Sequence, residues 1–288
     1  AVDVGNRTVT DADGQEHPFD HLVLATGAEP RGLDGVTGSR PLVLRSRTDA
    51  DRILEHSDDR RVVVVGAGLL GVEVACALQM AGRRVQLVER ERQVLPGWLD
   101  ADSAAILASC LRDLGVGVHL GVDDHTTVAG DLVIACVGVR ARTHLARVAG
   151  LEVDRGVLTD GNAATGVEGV WAIGDCARRR GEEWRPMLDE GWDAAARLAR
   201  RLAGRPVAGG PWPQVVRLRA PGLDVGFLGR TRLDGWDGGT VDKGRTVTLL
   251  DPDGRRAVRL VVRSGRLTGA TAVGAGDVFG DLALVHLR

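Results

Sequence analysis

The feature that most constrains the fold is a glycine-rich turn between a predicted buried strand and a predicted helix. Residues 62–65 are four consecutive valines, a pattern typical of a strand that is buried on both faces of a parallel sheet. The next residues read GAGLLG, in which Gly66, Gly68 and Gly71 have the spacing of the G-x-G-x-x-G fingerprint. The sequence therefore predicts an α/β, Rossmann-like fold with a dinucleotide site at this turn.

Each glycine has its own role in such a turn. Gly66 permits the sharp bend after the strand, Gly68 lets the backbone approach a pyrophosphate, and Gly71 lets the helix pack closely on the strand. Leu69 and Leu70 stand in the same turn, and their backbone N–H groups would face the phosphates at the positive end of the dipole of the helix that follows. We expect these five residues to bind the pyrophosphate.

An acid at the end of the next predicted strand indicates which coenzyme is preferred. Glu89 follows the strand at 85–88, where a carboxylate accepts hydrogen bonds from the adenosine ribose diol. A carboxylate there also repels a 2′-phosphate, which favours NADH over NADPH. Arg90 belongs to the same end of the predicted site. The alternative, that nearby arginines bind the phosphate of NADPH, stays open for Arg83, Arg84, Arg90 and Arg92.

Composition argues against several classes of function. The chain has 288 residues, of which 44% are hydrophobic and 26% charged, and its formal net charge is −2, so neither nucleic acid nor an anionic membrane is a predicted partner. The apolar stretch at 62–82 carries Glu73 in its middle, which favours a soluble core over a membrane span. The cysteines lack metal-ligand spacing, which favours reduced thiols of a cytoplasmic protein. They are Cys76, Cys110, Cys136 and Cys176.

The remaining pattern alternates helices and strands. Apolar periodicity predicts a helix at about 101–114 and strands at 116–120 and 131–137. Pro186 introduces a predicted amphipathic helix that runs to about residue 202. The Pro- and Gly-rich stretch at 203–213 is typical of an interdomain linker.

Three motifs follow one another along the chain. They are LVLATGAEPR at 22–31, VVVVGAGLLGVEVA at 62–75 and GVWAIGDCA at 169–177. With these motifs the chain resembles the two-dinucleotide flavoprotein reductases of the pyridine nucleotide-disulphide oxidoreductase superfamily. Within that superfamily it is similar to NADH-dependent ferredoxin and rubredoxin reductases and to the NADH-oxidising module of assimilatory nitrite reductases.

The resemblance implies an NAD domain inserted into a discontinuous FAD domain. We expect FAD-domain parts at 1–44 and 154–206, an NAD(H) domain at 45–153, and a small α+β C-terminal interface domain at 207–288. In the family a further strand–G-x-G-x-x-G–helix unit holds the ADP half of FAD, and no such fingerprint precedes His21. The FAD domain is therefore expected to be incomplete: the chain is a piece of a longer reductase, a second polypeptide supplies the unit, or the protein has lost flavin.

The resemblance also implies the flavin contacts. Asp175 would hydrogen-bond the hydroxyl groups of the ribityl chain, and the helix that carries Trp192 would point its N-terminus at the flavin ring. Taken alone, Gly174-Asp175 could equally be a tight turn with a capping acid. The implied flavin-side residues are Ala25, Thr26, Gly27, Gly174, Asp175 and Trp192.

Two residues are implied on the nicotinamide side. Glu73 matches the family acid near the carboxamide, although from the sequence alone it could equally be a first-turn acid favoured by the helix dipole. Gly138 matches the loop that lets the nicotinamide pass close to the backbone. The proline and asparagine that usually follow this glycine are replaced here by Ala141 and Arg142.

Two functions are compatible with these residues. The first is an FAD-dependent NADH:acceptor oxidoreductase that passes electrons to an iron–sulfur protein or a small acceptor, with FAD and NAD as cofactors. The alternative is a flavin-free, NAD-binding regulatory or scaffold subunit of a larger complex. The resemblance also implies either a homodimer or association with a partner subunit.

Overall fold

The computed structural model describes residues 1–33, 41–58, 61–123, 130–207, 215–229 and 244–286. By their contacts the residues form two compact units. The first comprises Ala1–Glu29 and Val139–Trp212, and the second comprises Pro30–Gly138 and Pro213–Arg288. The domain boundaries expected from the sequence stay a prediction. Part of the predicted linker, residues 208–213, lies outside the described residues.

Among the described residues, six short strands precede the first helix, and helices and strands are interspersed after it. Up to residue 135 they are β1 Val2–Asp3, β2 Thr8–Thr10, β3 Glu16–Pro18, β4 Leu22–Leu24, β5 Ala28–Pro30, β6 Leu42–Val43, α1 Arg47–His56, β7 Arg61–Val65, α2 Leu69–Met80, β8 Arg84–Glu89, α3 Ala101–Asp113, β9 Gly117–Leu120 and β10 Leu132–Ala135. From residue 139 they are β11 Val139–Ala141, α4 His144–Val148, β12 Val157–Thr159, β13 Val170–Ala172, β14 Ala177–Arg179, α5 Leu188–Leu202, β15 Val215–Arg217, β16 Val225–Gly229, β17 Arg245–Asp251, β18 Arg256–Arg263, β19 Arg266–Val273 and α6 Gly276–His286.

The second unit contains a five-stranded parallel sheet in the order β6-β10-β7-β8-β9. Its central strand is the run of valines, all of which are buried. Val65 pairs with Val88 of β8 and with Ala135 of β10, so the three strands end at the same edge of the sheet. The Gly-rich turn and the acid after β8 therefore lie at one edge, where ligands bind in open α/β sheets.

A second sheet in the same unit is antiparallel, in the order β15-β16-β19-β18-β17. One of its faces packs on α6, where Phe279 contacts Leu228 and the small residues of β19. The other face carries Phe227, whose ring centroid lies 5.0 Å from that of Trp98 in the loop after β8. The two sheets of this unit therefore share one hydrophobic core.

The first unit is built around the parallel pair β4 and β13. Leu22 pairs with Val170 and Leu24 with Ala172, so these two strands also end together. A three-stranded antiparallel sheet, β1-β2-β3, and the pair β12 and β14 complete the strands that surround them. A short 3-10 turn at Gly174–Cys176 follows β13 and contacts α5.

The predicted helices agree with the structure to within two residues at each end. The predicted helix at 101–114 is α3, and the predicted helix after Pro186 is α5, which begins at Leu188 because Met187 still has extended backbone angles. Among the described helices, none combines the length and the apolar composition needed to cross a membrane.

Candidate dinucleotide-binding sites

The Gly-rich turn has no room for side chains at two of its three glycines. Gly66 has φ +101°, and a Cβ built on it would lie 2.5 Å from the backbone oxygen of Cys136. A Cβ on Gly71 would lie 1.8 Å from the backbone oxygen of Gly66. Both contacts are with backbone, which cannot rotate away, so the turn and the start of α2 are packed as closely as glycine allows.

Gly68 differs from the other two glycines. A Cβ built on Gly68 would have no atom of the described residues within 4 Å. Gly68 is also the N-cap of α2, and within the described ranges no side chain caps this helix. Open space in front of uncapped N–H groups, including those of Leu69 and Leu70, fits an anionic group such as a pyrophosphate.

The peptide of Ala67, between the first two glycines, is held from both sides. Its N–H donates to Glu89 Oε2 at 2.7 Å, and its carbonyl accepts from the backbone N–H of Leu95 at 2.8 Å. Leu95 is fully buried and has φ +48°, a left-handed conformation that is unfavourable for a leucine. Sequence reasoning did not find Leu95, because no local pattern indicates a strained leucine.

Glu89 accepts two backbone hydrogen bonds, from Ala67 N at 2.7 Å and from Glu91 N at 3.0 Å. These bonds fix the carboxylate beside the Gly-rich turn. The Arg90 side chain is 74% exposed, and its Nη2 lies 3.7 Å from Glu91 Oε1. Ribose binding by Glu89 and a role for Arg90 stay predictions.

Glu73 is the fifth residue of α2 and therefore lies in the second turn of the helix. The interpretation of Glu73 as a first-turn acid favoured by the helix dipole is wrong, because the helix begins at Leu69. Its Oε1 accepts a hydrogen bond from the backbone N–H of Arg219 at 2.7 Å. Arg219 lies between Leu218 and Ala220, both buried in the core shared by the two sheets. The loop between β15 and β16 of the C-terminal sheet thus holds the carboxylate that is predicted to contact the nicotinamide.

Gly138 has φ +89°, and a Cβ there would meet no atom of the described part of the chain within 4 Å. The two residues that depart from the family pattern have structural roles. Ala141 is buried in β11. The backbone of Arg142 forms two hydrogen bonds with the loop at Thr26 and Gly27. Its N–H donates to Gly27 O at 2.9 Å, and its carbonyl accepts from Thr26 Oγ1 at 2.6 Å.

The flavin-side residues of the first unit lie together at the ends of β4 and β13. Gly27 and Gly174 both have φ +69°, and a Cβ on either would contact nothing within 4 Å in the described ranges. Cys176 Sγ donates to Leu24 O at 3.4 Å, which ties the turn after β13 to the end of β4. Ala25, the residue after β4, is exposed. The paired loops bring the predicted flavin residues to one edge.

Trp184 is a residue of this region that sequence reasoning missed. Its indole N–H donates to the backbone oxygen of Asp175 at 3.2 Å. The bond holds the turn that carries the Asp175 carboxylate. Nothing in the local sequence indicates it, because the two residues are nine positions apart and β14 lies between them.

The first turn of α5 packs on the turn at Gly174. A Cβ on Gly191 would lie 3.3 Å from Gly174 Cα, which is a tight contact, so the glycine lets the helix approach this turn closely. Among the described residues no side chain caps α5, whose N-cap is Met187. Trp192 is 66% exposed. Glu190, in the same turn, is half-buried, and burial raises the pKa of its carboxyl to about 7, while Arg185 acts in the opposite direction.

The pKa of Glu190 predicts a pH dependence of stability. Because the folded pKa is above the unfolded one, ionisation is penalised only in the folded state, and the stability of the protein falls as pH rises from about 4.5 to about 7. Glu190→Gln is expected to be more stable than the parent protein at pH 8 by about 1–2 kcal/mol, after allowance for solvent screening, and nearly equal near pH 4.5. Urea unfolding at the two pH values measures the free energy of unfolding of both proteins. The same difference between variant and parent at both pH values would contradict the prediction.

The thiols do not form a reactive centre in the described structure. All four cysteines lie in the described ranges and are free. Burial raises the pKa of Cys76 to about 11 and that of Cys136 to about 12, so both are protonated at neutral pH. Within the residues that the structure describes, no three His, Cys, Asp or Glu side chains come together as metal ligands.

The fold has two candidate sites, one at the Gly-rich turn and one at the loops after β4 and β13. These features define the class of α/β proteins that bind dinucleotides at the edges of parallel sheets. The family profile of the pyridine nucleotide-disulphide oxidoreductases matches residues 1–191. The chain therefore belongs to the pyridine nucleotide-disulphide oxidoreductase family. This confirms the family and fold class that the three motifs predict.

Two curated relatives illustrate the similarity. A nitric oxide reductase FlRd-NAD(+) reductase from Aeromonas salmonicida (strain A449) is 34% identical over 252 residues, which cover 80% of this chain and 64% of that protein. A rubredoxin-NAD(+) reductase from Pseudomonas putida is 34% identical over 200 residues, 62% of this chain and 52% of that protein. The chain thus spans less than two thirds of the length of either relative.

Solved structures show the same fold. A ferredoxin reductase from Rhodopseudomonas palustris superposes with a TM-score of 0.84 at 26% identity, over 98% of this chain and 74% of that one. The putidaredoxin reductase in a covalent complex with putidaredoxin superposes equally well, with a TM-score of 0.84 at 23% identity, over 99% of this chain and 73% of that one. The similarity extends over nearly the whole chain, including the C-terminal sheet.

Proposed function

We propose that the chain acts as an FAD-dependent NADH:acceptor oxidoreductase. The observation that carries the proposal is the combination of open space at Gly68, uncapped α2 and an anchored Glu89 at one sheet edge. The paired loops at Gly27 and Gly174 supply a comparable edge in the other unit. When bound, FAD accepts a hydride from NADH and releases electrons singly or in pairs.

The task of the chain's own residues is to bind and orient rather than to transfer protons. The amides after Gly68 would hold the pyrophosphate, Glu89 the adenosine ribose and Glu73 the nicotinamide carboxamide. Asp175 would hold the ribityl hydroxyl groups, with its turn fixed by Trp184. Holding two reactants in one orientation contributes to the rate without a nucleophile or a general base.

The proposed electron acceptor is inferred from the acceptor proteins that the names of the relatives mention. Relatives are named as NAD(+) reductases of flavorubredoxin and rubredoxin, and a structural neighbour was captured with putidaredoxin. We propose a small iron–sulfur or rubredoxin-type protein as the acceptor, with a small-molecule acceptor as the alternative. The free thiols support a reducing, cytoplasmic compartment. A homodimer stays a prediction.

Visible absorption tests the proposed function. The purified protein, incubated with FAD and freed of excess, is expected to show a flavin band that NADH bleaches under anaerobic conditions. NADPH at the same concentration serves as the control and is expected to bleach the band more slowly. A colourless protein that still binds NADH would contradict FAD binding by this chain.

Replacing Asp175 with asparagine is expected to weaken FAD binding by about tenfold or more. The change removes the charge that strengthens hydrogen bonds to the ribityl hydroxyl groups. It leaves intact the backbone oxygen that accepts from Trp184. Fluorescence titration with FAD measures the effect, and Asp13→Asn, an exposed acid in the turn between β2 and β3, is the matched control. Equal FAD affinity in the Asp175 variant and the parent would remove Asp175 from the flavin site.

A further inference from the structure

A crevice in the second unit continues outward from the residue that follows Glu89. It has a volume of about 910 Å³, within the range of small-molecule sites. The loop between β8 and α3 forms one wall, from Arg90 to Asp100. The C-terminal sheet contributes Arg259 and Thr271 to the lining, and Gly121 after β9 lies at the same edge as Glu89.

The C-terminal sheet presents a row of three side chains to this loop. Phe227, Thr271 and Arg259 are direct register partners on β16, β19 and β18, so they project from the same face of the sheet. Phe227 packs on Trp98, which fixes this face against the loop. Thr271 and Arg259 therefore face the crevice side rather than α6.

Two polar atoms of this row are buried and lack partners in the described structure. They are Thr271 Oγ1 and Arg259 Nε. Thr271 is only 2% exposed, and the ion pair of Arg259 with Asp100 is 3.4 Å long and uses a different guanidinium nitrogen, Nη1. A buried donor without an acceptor is unfavourable, so these two atoms indicate that a ligand completes the site.

The charges of the crevice indicate what kind of ligand it takes. Among the described lining residues, three guanidinium groups are balanced by three carboxylates, so this part of the lining has no net charge. The six residues are Arg90, Arg92, Arg259, Glu91, Asp100 and Asp123. A balanced lining with buried donors favours a neutral group that has both hydrogen-bond acceptors and donors. A purine base has this chemistry, since its ring nitrogens accept and its amino group donates.

We propose that Thr271 and Arg259 of the C-terminal sheet contact the adenine base of the coenzyme and determine specificity for it. The inference rests on the proposed function, because it takes the ribose on Glu89 as its starting point. The base lies one group beyond that ribose, and the crevice begins one residue beyond Glu89. The C-terminal sheet then contributes to the coenzyme site at both ends, through Arg219 at Glu73 and through this pair at the adenine.

Calorimetric titration of the full chain with ADP-ribose, which carries the adenosine end but no nicotinamide, tests the proposal. Thr271→Val keeps the shape of the side chain and removes the hydroxyl, and it is expected to weaken ADP-ribose binding by about 3- to 10-fold. Thr246→Val, an exposed threonine on β17 of the same sheet, is the matched control and is expected to bind as the parent does. Unchanged binding by Thr271→Val would overturn the proposal.

A second variant and a second ligand complete the test. Arg259→Met removes the donor and is also expected to weaken ADP-ribose binding, with thermal unfolding recorded because the ion pair with Asp100 is lost. AMP is expected to compete with NADH, and simultaneous binding of both would overturn the assignment to the coenzyme. If the parent protein binds neither NADH nor ADP-ribose, the proposed function fails. If it binds both and the Thr271 and Arg259 variants match it, only the present inference fails.

Discussion

Gly71→Ala is expected to destabilise the protein and to abolish high-affinity NADH binding. The added methyl would lie 1.8 Å from Gly66 O and 3.0 Å from Gly66 C, so α2 must move away from the turn. Overpacking against backbone typically costs about 1–3 kcal/mol of the free energy of unfolding. The displaced helix N-terminus also loses its orientation toward the phosphates, and we expect NADH affinity to fall by about 100-fold, or about 2.7 kcal/mol. Urea unfolding and calorimetric titration measure the two effects.

Gly68→Ala is the matched control, because it separates binding from folding. Gly68 has φ −72° and open space where the methyl would be, so the free energy of unfolding is expected to stay within about 0.5 kcal/mol of the parent value. The methyl would nevertheless occupy the space assigned to the pyrophosphate, and NADH affinity should fall by about tenfold. Parent-like stability of Gly71→Ala would contradict the close packing, and parent-like NADH affinity of Gly68→Ala would contradict the phosphate assignment.

Glu89→Arg is expected to reverse the preference between NADH and NADPH. The ribose loses a charged acceptor, which should weaken NADH binding by about 10- to 100-fold. The new guanidinium would pair with the 2′-phosphate of NADPH, whose affinity should rise. The substitution also removes the acceptor of the Ala67 N–H, so part of the NADH loss arises from a less ordered Gly-rich turn.

Two controls separate these contributions. Glu89→Gln keeps an acceptor oxygen for the Ala67 N–H and removes the charge, so it isolates the repulsion of the 2′-phosphate. Glu55→Gln changes an exposed acid on α1 that does not line the crevice, and it should leave both affinities unchanged. Dissociation constants for NADH and NADPH, measured by calorimetry on all three variants, give the ratio directly. The same ratio in the parent and in Glu89→Arg would remove the role assigned to this acid.

The part of the parallel sheet around the Gly-rich turn could be predicted from the sequence because its signals are local. A run of buried valines, three spaced glycines and an acid after the next strand specify a strand, a turn, a helix and a second strand without reference to distant residues. The helix after Asp100 begins and ends close to its predicted limits for the same reason, since Asp100 caps its start through Ser103 N and Gly115 follows its end.

Features that depend on distant contacts could not be predicted in this way. Glu73 and Arg219 are 146 positions apart, and only the packing of the C-terminal sheet brings them together. The left-handed Leu95 and the bond from Trp184 to Asp175 likewise depend on tertiary structure. The alternative interpretation of Glu73 as a first-turn acid is wrong because it depends on where α2 begins, and helix ends are set by cap geometry that the apolar pattern does not reveal.

The central claim is that a pyridine coenzyme binds at the amides that follow Gly68. Titration of isotope-labelled protein with NADH, followed through the backbone amide resonances, tests it at the residues concerned. We expect the N–H signals of Gly68, Leu69 and Leu70 to shift progressively and to saturate, with small changes in the exposed strand β17. Binding of NADH that leaves these three amides unchanged, or no binding by folded protein, would contradict the account.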